Sequence, residues 1–140
     1  MQMKSVYILD ACALLAAYKQ EDGFTIVADL YEDAVNGKTR LCINMLNLLE
    51  VYYGLIYDFG SAFANERLRE VTESIVEITN LTIPKLIEAG RLKTAYKVSL
   101  ADAIAIAEAI VLEGTLITAD HHEMDKIERA EPNIKFQWIR

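Results

Sequence analysis

The chain has 140 residues, of which 53% are hydrophobic and 25% are charged, with only 2 prolines and 6 glycines. This composition predicts one compact globular domain spanning residues 1–140 and argues against disorder. The formal net charge of −7 argues against a module that binds nucleic acid through bulk positive charge. It is compatible with acidic groups gathered around cations, which reverse the local sign of the charge.

Two further features of the sequence concern the location of the protein and the state of its cysteines. No apolar run reaches the ~18 residues of a membrane helix, and the first residues show no signal-peptide pattern, so we expect a cytoplasmic protein without membrane contact. Cys12 and Cys42 lie in apolar segments and show no paired spacing. Reduced core residues are therefore expected, in preference to a disulfide or a metal site.

The first half of the chain opens with a continuous apolar run, which is typical of a strand covered on both faces. Ala/Leu-rich and helically spaced segments follow, and Asn36-Gly37 is expected to end one of them. Asn44 is a candidate N-cap for the next helix. In chain order, we predict a strand at residues 6–9, helices at 11–18 and 24–35, a strand at 40–43 and a helix at 45–57.

The second half repeats this alternation. Pro84 suits the first turn of a helix, and Ser99 is a candidate cap for the most apolar helix of the chain. In chain order, we predict a helix at residues 61–74, a strand at 75–78, helices at 84–96 and 100–112, a strand at 115–118, a helix beginning at residue 120 and a strand at 136–139. Strands alternating with helices predict a three-layer α/β/α fold around a largely parallel, five-stranded sheet.

Two carboxylates directly follow predicted strands. Asp10 ends the first strand and Asp120 comes after the fourth, so each is placed where an open α/β sheet binds ligands. Each has an alternative interpretation as a helix N-cap. Thr118 can present its hydroxyl toward the same crevice, where it could orient a water molecule.

Two further carboxylates lie on predicted helices beside these strand ends. Glu50 is placed in an otherwise apolar helix, where it is either solvated or buried with a partner, because an unpaired buried charge is costly. Asp102 follows Ser99 by three residues. A helix N-terminus stabilises a negative charge there by ~0.3–1 kcal/mol, which is its purely structural explanation.

Together, these four acids predict a metal site at the carboxyl edge of the sheet. Two unit charges about 4 Å apart repel by ~4 kcal/mol at an effective dielectric constant near 20, so such a cluster needs cations or protons. Carboxylate oxygens suit Mg²⁺ or Mn²⁺. Two such ions can activate water and stabilise the leaving oxygen in phosphodiester cleavage.

Other candidate groups are less informative. His121 and His122 suggest zinc, but no cysteine or third histidine stands at ligand spacing. Asp125 is either an acid supporting the site from outside or a solvated side chain. The basic residues of one stretch form either a phosphate-facing rim or a solvated helix face: Lys85, Arg91, Lys93 and Lys97. No Gly-rich phosphate loop or Gly-x-Ser-x-Gly elbow is present.

Four short motifs, in their order and spacing, resemble the PIN-domain nucleases, and the VapC-type toxins of toxin–antitoxin pairs in particular. They are Tyr7-Ile8-Leu9-Asp10, Asn47-Leu48-Leu49-Glu50, Leu100-Ala101-Asp102-Ala103 and Leu116-Ile117-Thr118-Ala119-Asp120. The resemblance covers essentially the whole chain. One departure is Cys12, where the family more usually has Ser, Thr or Asn.

The resemblance implies a Mg²⁺- or Mn²⁺-dependent endoribonuclease that cuts RNA. Its metal-binding catalytic residues would be Asp10, Glu50, Asp102 and Asp120, with Thr118 as the supporting hydroxyl. It also implies a homodimer and a small antitoxin partner. Two alternatives stay open: a catalytically silent PIN-like module that binds RNA or acts as a scaffold, and a phosphotransferase with Asp10 as nucleophile. The second expects another Asp where this chain has Cys12.

Overall fold

The structure is a computed structural model that describes residues 3–140. Strands and helices alternate along these residues, as the sequence predicts. The strands are β1 (Ser5–Leu9), β2 (Thr39–Asn44), β3 (Glu77–Thr79), β4 (Thr115–Thr118) and β5 (Lys135–Trp138). The helices are α1 (Ala11–Lys19), α2 (Phe24–Val35), α3 (Met45–Phe59), α4 (Ser61–Thr72), α5 (Ile83–Ala95), α6 (Leu100–Val111) and α7 (His121–Ala130).

The five strands form one sheet in the order β3-β2-β1-β4-β5, and every neighbouring pair is parallel. Strand β1 is central, with Leu9 in register with Ile43 of β2 on one side and Ile117 of β4 on the other. From β1 the chain first builds the sheet outward through β2 and β3, and later returns to add β4 and β5 on the opposite side. The predicted five-stranded α/β fold is confirmed.

The side chains of the sheet divide the core into two halves, because consecutive residues of a strand point to opposite faces. Leu9, Ile43 and Ile117 pack on one face with apolar residues of α1, α2, α3 and α4. Ile8 and Leu116 pack on the other face with α5, α6 and α7. Both faces of the sheet are therefore covered by helices, as expected of an all-parallel sheet.

Most element boundaries lie within two residues of their predicted positions, and β3 differs most. It begins at Glu77, where pairing with Cys42 of β2 starts, rather than at residue 75. The Ser74 hydroxyl accepts a hydrogen bond from the Val76 amide at 3.1 Å, which bends the chain before the strand. Ile75 and Val76 are the two apolar residues that suggested an earlier start of the strand, and Ile75 is exposed.

The basic stretch after β3 does not form one rim. Lys85 is buried and pairs with the fully buried Glu108 at 3.0 Å, while the Arg91 guanidinium bonds two glutamates. Lys93 donates to a backbone carbonyl at 2.6 Å. Among the residues that the structure describes, only Lys97 of this group has no protein partner for its ammonium.

The two cysteines agree with the expectation of reduced thiols. Cys12 and Cys42 are free thiols, half-buried and fully buried respectively. Burial raises the pKa of each thiol from 9.0 to about 11, so both are protonated near neutral pH. Within residues 3–140, no helix is long and apolar enough to cross a membrane.

Candidate metal centre

The candidate site lies at the carboxyl ends of β1 and β4, the two neighbouring strands from which the chain continues in opposite directions. Crevices at such a switch point are the usual ligand sites of open α/β sheets. Asp10 directly follows β1, and its amide donates to the carbonyl of Ile117 in β4 at 3.3 Å. Asp120 follows β4 by two residues. The topology therefore brings these two acids together, although 110 positions of sequence separate them.

Asp10 is both a helix cap and a carboxylate with a free oxygen. Its Oδ1 accepts the Ala13 amide at 2.8 Å and so caps α1. Its Oδ2 is buried and has no hydrogen-bond partner within the described residues. The two sequence-based interpretations of Asp10, as a helix cap and as a ligand-binding acid, are therefore compatible. Oδ1 serves as the cap, and Oδ2 is the free oxygen.

The pKa of Asp10 is raised from 3.8 to about 6, chiefly because the carboxyl is buried. The nearby Thr118 hydroxyl, which makes no directed bond to Oδ2, and the Ala13 amide oppose the rise. The charges of Asp120 and Glu50 add to it. The ionised form of Asp10 is thus destabilised unless a cation lies near it.

Thr118 holds the turn that leads to Asp120. Its fully buried hydroxyl accepts the Asp120 amide at 3.0 Å. Asp120 in turn caps α7 by accepting the His122 amide at 3.1 Å. Thr118 therefore fixes the position of Asp120, and its predicted contact with water remains a prediction.

Asp102 lies in the first turn of α6, where Ser99 acts as the predicted cap by accepting the Asp102 amide at 3.2 Å. The pKa of the Asp102 carboxyl is raised from 3.8 to about 8. Burial is the main cause, and the charges of Asp10 and Asp120 follow. A helix N-terminus alone would lower this pKa, so burial, together with the charges of the neighbouring acids, outweighs the helix dipole here.

Glu123, which the sequence analysis did not identify, forms a compact group with Asp102 and Asp120. Asp102, Asp120 and Glu123 each offer one oxygen, and these oxygens lie within 4.8 Å of one another. Glu123 also accepts the Ser99 amide at 2.9 Å through Oε2. A signal for it was present, because Glu123 follows Asp120 by three residues and so shares its face of the helix.

Glu50 and Asp10 lie beside this group rather than inside it. Glu50 is half-buried on α3, and its pKa is raised by partial burial and then by the charge of Asp120. The structure thus brings all four predicted acids within electrostatic range of one another, and Glu123 lies next to two of them.

The donor set fits a hard divalent cation. The ligands that the described residues offer here are carboxylate oxygens, which suit Mg²⁺ or Mn²⁺. Within residues 3–140 the buried Oδ2 of Asp10 has no hydrogen-bond partner, and a bound cation would satisfy it. The residues present can therefore hold such an ion.

The neighbouring histidine does not form a zinc site. His121 Nδ1 lies 2.9 Å from an Asp125 oxygen, and Nε2 lies 2.7 Å from the Arg140 carbonyl. Both ring nitrogens are thus engaged, and both acceptors raise the pKa of this imidazole. The ring also stacks on Trp138 at 3.9 Å. Asp125 is therefore the partner of His121.

Comparison with known proteins gives one sequence match and several structural ones. The profile of the PIN domain matches residues 7–130. No curated protein sequence matches the chain.

Three solved structures are representative of the structural matches. VapBC from Salmonella typhimurium, solved bound to DNA, has a TM-score of 0.74 at 15% identity and covers 99% of this chain and 100% of its own. VapBC2 from Rickettsia felis, bound to a DNA fragment from the promoter, has a TM-score of 0.71 at 19% identity, with coverages of 95% and 98%. VapC20 from Mycobacterium tuberculosis, a sarcin–ricin loop cleaving toxin, scores 0.65 at 13% identity, with coverages of 84% and 92%. These likenesses show the fold alone.

Proposed function

Because the PIN domain profile matches most of its length, the chain belongs to the PIN-domain family, and on this basis we propose that it is a Mg²⁺- or Mn²⁺-dependent endoribonuclease. The observation that carries the proposal is the set of converging carboxylates at the sheet's switch point. Bound divalent ions would supply an activated water and stabilise the charge that develops on the leaving oxygen.

Each residue has a distinct proposed task. Asp102, Asp120 and Glu123 would hold a cation between their oxygens, and the free Oδ2 of Asp10 would complete the ligand set. Glu50 would act from the facing helix. Thr118 holds Asp120 in place through its amide, so the carboxylate does not have to reorganise when the ion binds.

The proposal extends to partners. Several similar structures are VapB–VapC complexes, and one is named as a toxin that cleaves the sarcin–ricin loop. We therefore propose RNA as substrate, a small antitoxin protein as partner and a homodimer as the assembled form. Support for these partners comes from the family and the fold.

The test compares Asp10→Asn with wild type on a single-stranded RNA in Mg²⁺. We expect cleavage to fall by about 100-fold or more, equivalent to roughly 2.7 kcal/mol of transition-state stabilisation. Asp29→Asn is the matched control, because Asp29 is an exposed acid on α2. Equal cleavage by Asp10→Asn and wild type would show that the assignment is wrong.

A second measurement separates the enzyme from a silent module of the same fold. Calorimetric titration with Mn²⁺ should give binding that is lost in Asp102→Asn and kept in Asp29→Asn. Absence of Mn²⁺ binding to wild type would favour the alternative of an RNA-binding or scaffolding module without turnover.

A further inference from the structure

A cleft opens directly beside the carboxylate group. It has a volume of about 380 Å³ and is lined by Ala95, Tyr96, Lys97, His122, Glu123 and Lys126. We refer to it as the lysine cleft. Glu123 belongs to both features, because it lines the cleft and contributes an oxygen to the compact acid group. The acid group and the lysine cleft are therefore contiguous at Glu123.

Among the described residues, the two lysines of the cleft have no carboxylate partner, unlike half of the Lys and Arg residues of this protein. Within residues 3–140, neither Lys97 nor Lys126 forms an ion pair, and both are exposed. The cations that do pair with carboxylates are Lys19, Arg40, Arg67, Arg69, Lys85, Arg91 and Arg140. The charged residues that line the cleft are these two lysines and Glu123. In a chain of net charge −7, this positive balance makes the cleft a local site for an anion.

The walls of the cleft are held in place by contacts within the protein. The Lys93 ammonium donates to the carbonyl of Val98 at 2.6 Å, and the side chain of Val98 is buried. The next amide, that of Ser99, donates to Glu123 at 2.9 Å. The loop that carries Lys97 is thereby joined to α7, which carries Lys126. A site whose parts are already positioned loses less entropy when a ligand binds.

We propose that the lysine cleft binds a backbone phosphate of the RNA, next to the phosphodiester held at the acids. This inference rests on the proposed function, since it assigns a substrate contact to the same site. Lysine binds phosphate as a point charge, and a single-stranded RNA carries a phosphate at every nucleotide. An acidic centre repels such a strand unless cations on both the metal site and its rim offset the charge.

The experiment uses the double variant Lys97→Gln/Lys126→Gln. Its matched control is Lys38→Gln/Lys135→Gln, which removes two other exposed lysines that form no ion pair within the described residues. They lie near the amino ends of β2 and β5 and so at the opposite edge of the sheet. Both variants remove two positive charges. Binding of a fluorescein-labelled RNA is measured by anisotropy in Ca²⁺ over a range of salt concentrations. Hydrolysis of RNA and of bis(p-nitrophenyl) phosphate is measured in Mn²⁺.

We expect Lys97→Gln/Lys126→Gln to bind RNA about fivefold more weakly or worse, with a salt slope shallower by about 0.7 for each phosphate that is no longer neutralised. The KM for RNA should rise, whereas hydrolysis of the small diester, which has no second phosphate to place in the cleft, should stay at the wild-type rate. The control pair should leave all of these values unchanged.

The outcomes separate this inference from the proposed function. If wild type hydrolyses neither substrate, the nuclease proposal fails, and the anisotropy titration still decides the role of the cleft. If Lys97→Gln/Lys126→Gln binds RNA as tightly as the control variant, the proposed role of the lysine cleft is wrong, and the nuclease proposal is unaffected. A loss of affinity for an oligoglutamate peptide without any loss for RNA also overturns it, because the cleft would then be a protein-docking site.

Discussion

Asp102 illustrates how the fold changes the chemistry of a single residue. In an isolated helix its carboxylate would be stabilised by the helix N-terminus. In the folded protein, burial and the charges of Asp10 and Asp120 instead raise its pKa from 3.8 to about 8. Ionised Asp102 therefore destabilises the folded state of the metal-free protein. Its proposed role is to bind a cation.

Asp102→Asn should accordingly melt at the same temperature as wild type or higher, when measured in EDTA at pH 8. The melting temperature rises because the substitution removes a carboxyl whose ionisation is unfavourable only in the folded state. This gain should shrink toward pH 4, where the carboxyl is largely protonated in the folded state and increasingly so in the unfolded state. Excess Mg²⁺ should reverse the order, because only wild type keeps all the carboxylates. A marked drop in melting temperature in EDTA would instead identify Asp102 as a structural cap.

At the scale of elements, a buried ion pair ties helices α5 and α6 to the sheet. Glu108 of α6 pairs with Lys85 of α5 at 3.0 Å. Its Oε1 also accepts the Asn44 side-chain amide at 2.9 Å and the Thr79 hydroxyl at 2.8 Å, from the ends of β2 and β3. The network thus holds the carboxyl edge of the sheet on the side where α3, the helix of Glu50, begins.

Lys85→Met should destabilise the protein by about 3–5 kcal/mol, because it leaves the Glu108 charge buried without its counter-ion. The double variant Lys85→Met/Glu108→Gln should recover most of this loss, since Gln keeps an acceptor oxygen for Asn44 and Thr79. Urea unfolding of the two variants measures the difference. A double variant as unstable as the single one would show that the ion pair itself, and not the unpaired charge, controls stability.

A second element-scale feature is the close approach of Gly23, before α2, to Ile139, after β5. Gly23 has φ +92°, and a Cβ there would lie 2.2 Å from the Ile139 carbonyl oxygen. The Ile139 amide also donates to the carbonyl of Thr118 at 3.0 Å. The segment after β5 is thereby fixed beside the candidate site.

Gly23→Ala should cost more stability than Gly37→Ala, which is its matched control. Gly37 has φ +75°, but a Cβ at this position would meet only the Lys4 Nζ, at 3.9 Å. Gly37→Ala therefore reports the left-handed backbone alone, at about 1–2 kcal/mol. Gly23→Ala should add about 1–3 kcal/mol for overpacking against Ile139. Equal losses in thermal or urea unfolding would contradict the close contact.

At the scale of the whole molecule, the crowded acids make stability depend on pH. The folded-state pKa values of Asp10, about 6, and Asp102, about 8, lie above their ordinary 3.8. Between these limits the folded state binds more protons than the unfolded state, so stability falls as the pH rises. Glu77 and Glu131, whose pKa values are lowered by arginines, act in the opposite direction only at more acidic pH.

The melting temperature of the protein in EDTA should therefore rise as the pH is lowered from 8 to 5. Mg²⁺ should raise the melting temperature more at pH 8 than at pH 5.5, because protons compete with the cation for the same oxygens. Calorimetric scans at both pH values, with and without Mg²⁺, provide the measurement. A Mg²⁺ effect that is equal at both pH values would argue against binding at these carboxylates.

Local patterns in the amino-acid sequence were enough to establish the order of the elements and the residues that follow β1 and β4. Apolar periodicity and turn residues are local signals, so they placed most boundaries within two residues and marked Asp10 and Asp120 as strand-end acids. Strands alternating with helices were sufficient to predict the parallel sheet, because crossover connections favour parallel pairing.

The packing of distant elements was needed to establish which carboxylates share one site and in what state they are. Glu123 joins Asp102 and Asp120 because α7 packs beside the start of α6, while Lys85 leaves the surface to pair with Glu108. Burial and the distance between charges set each pKa, and both depend on residues far apart in the chain. Local spacing carries no information about such distances. The four acids were predicted because each lies in a recognisable short motif, whereas Glu123 reaches Asp102 only through the packing of α7 beside α6.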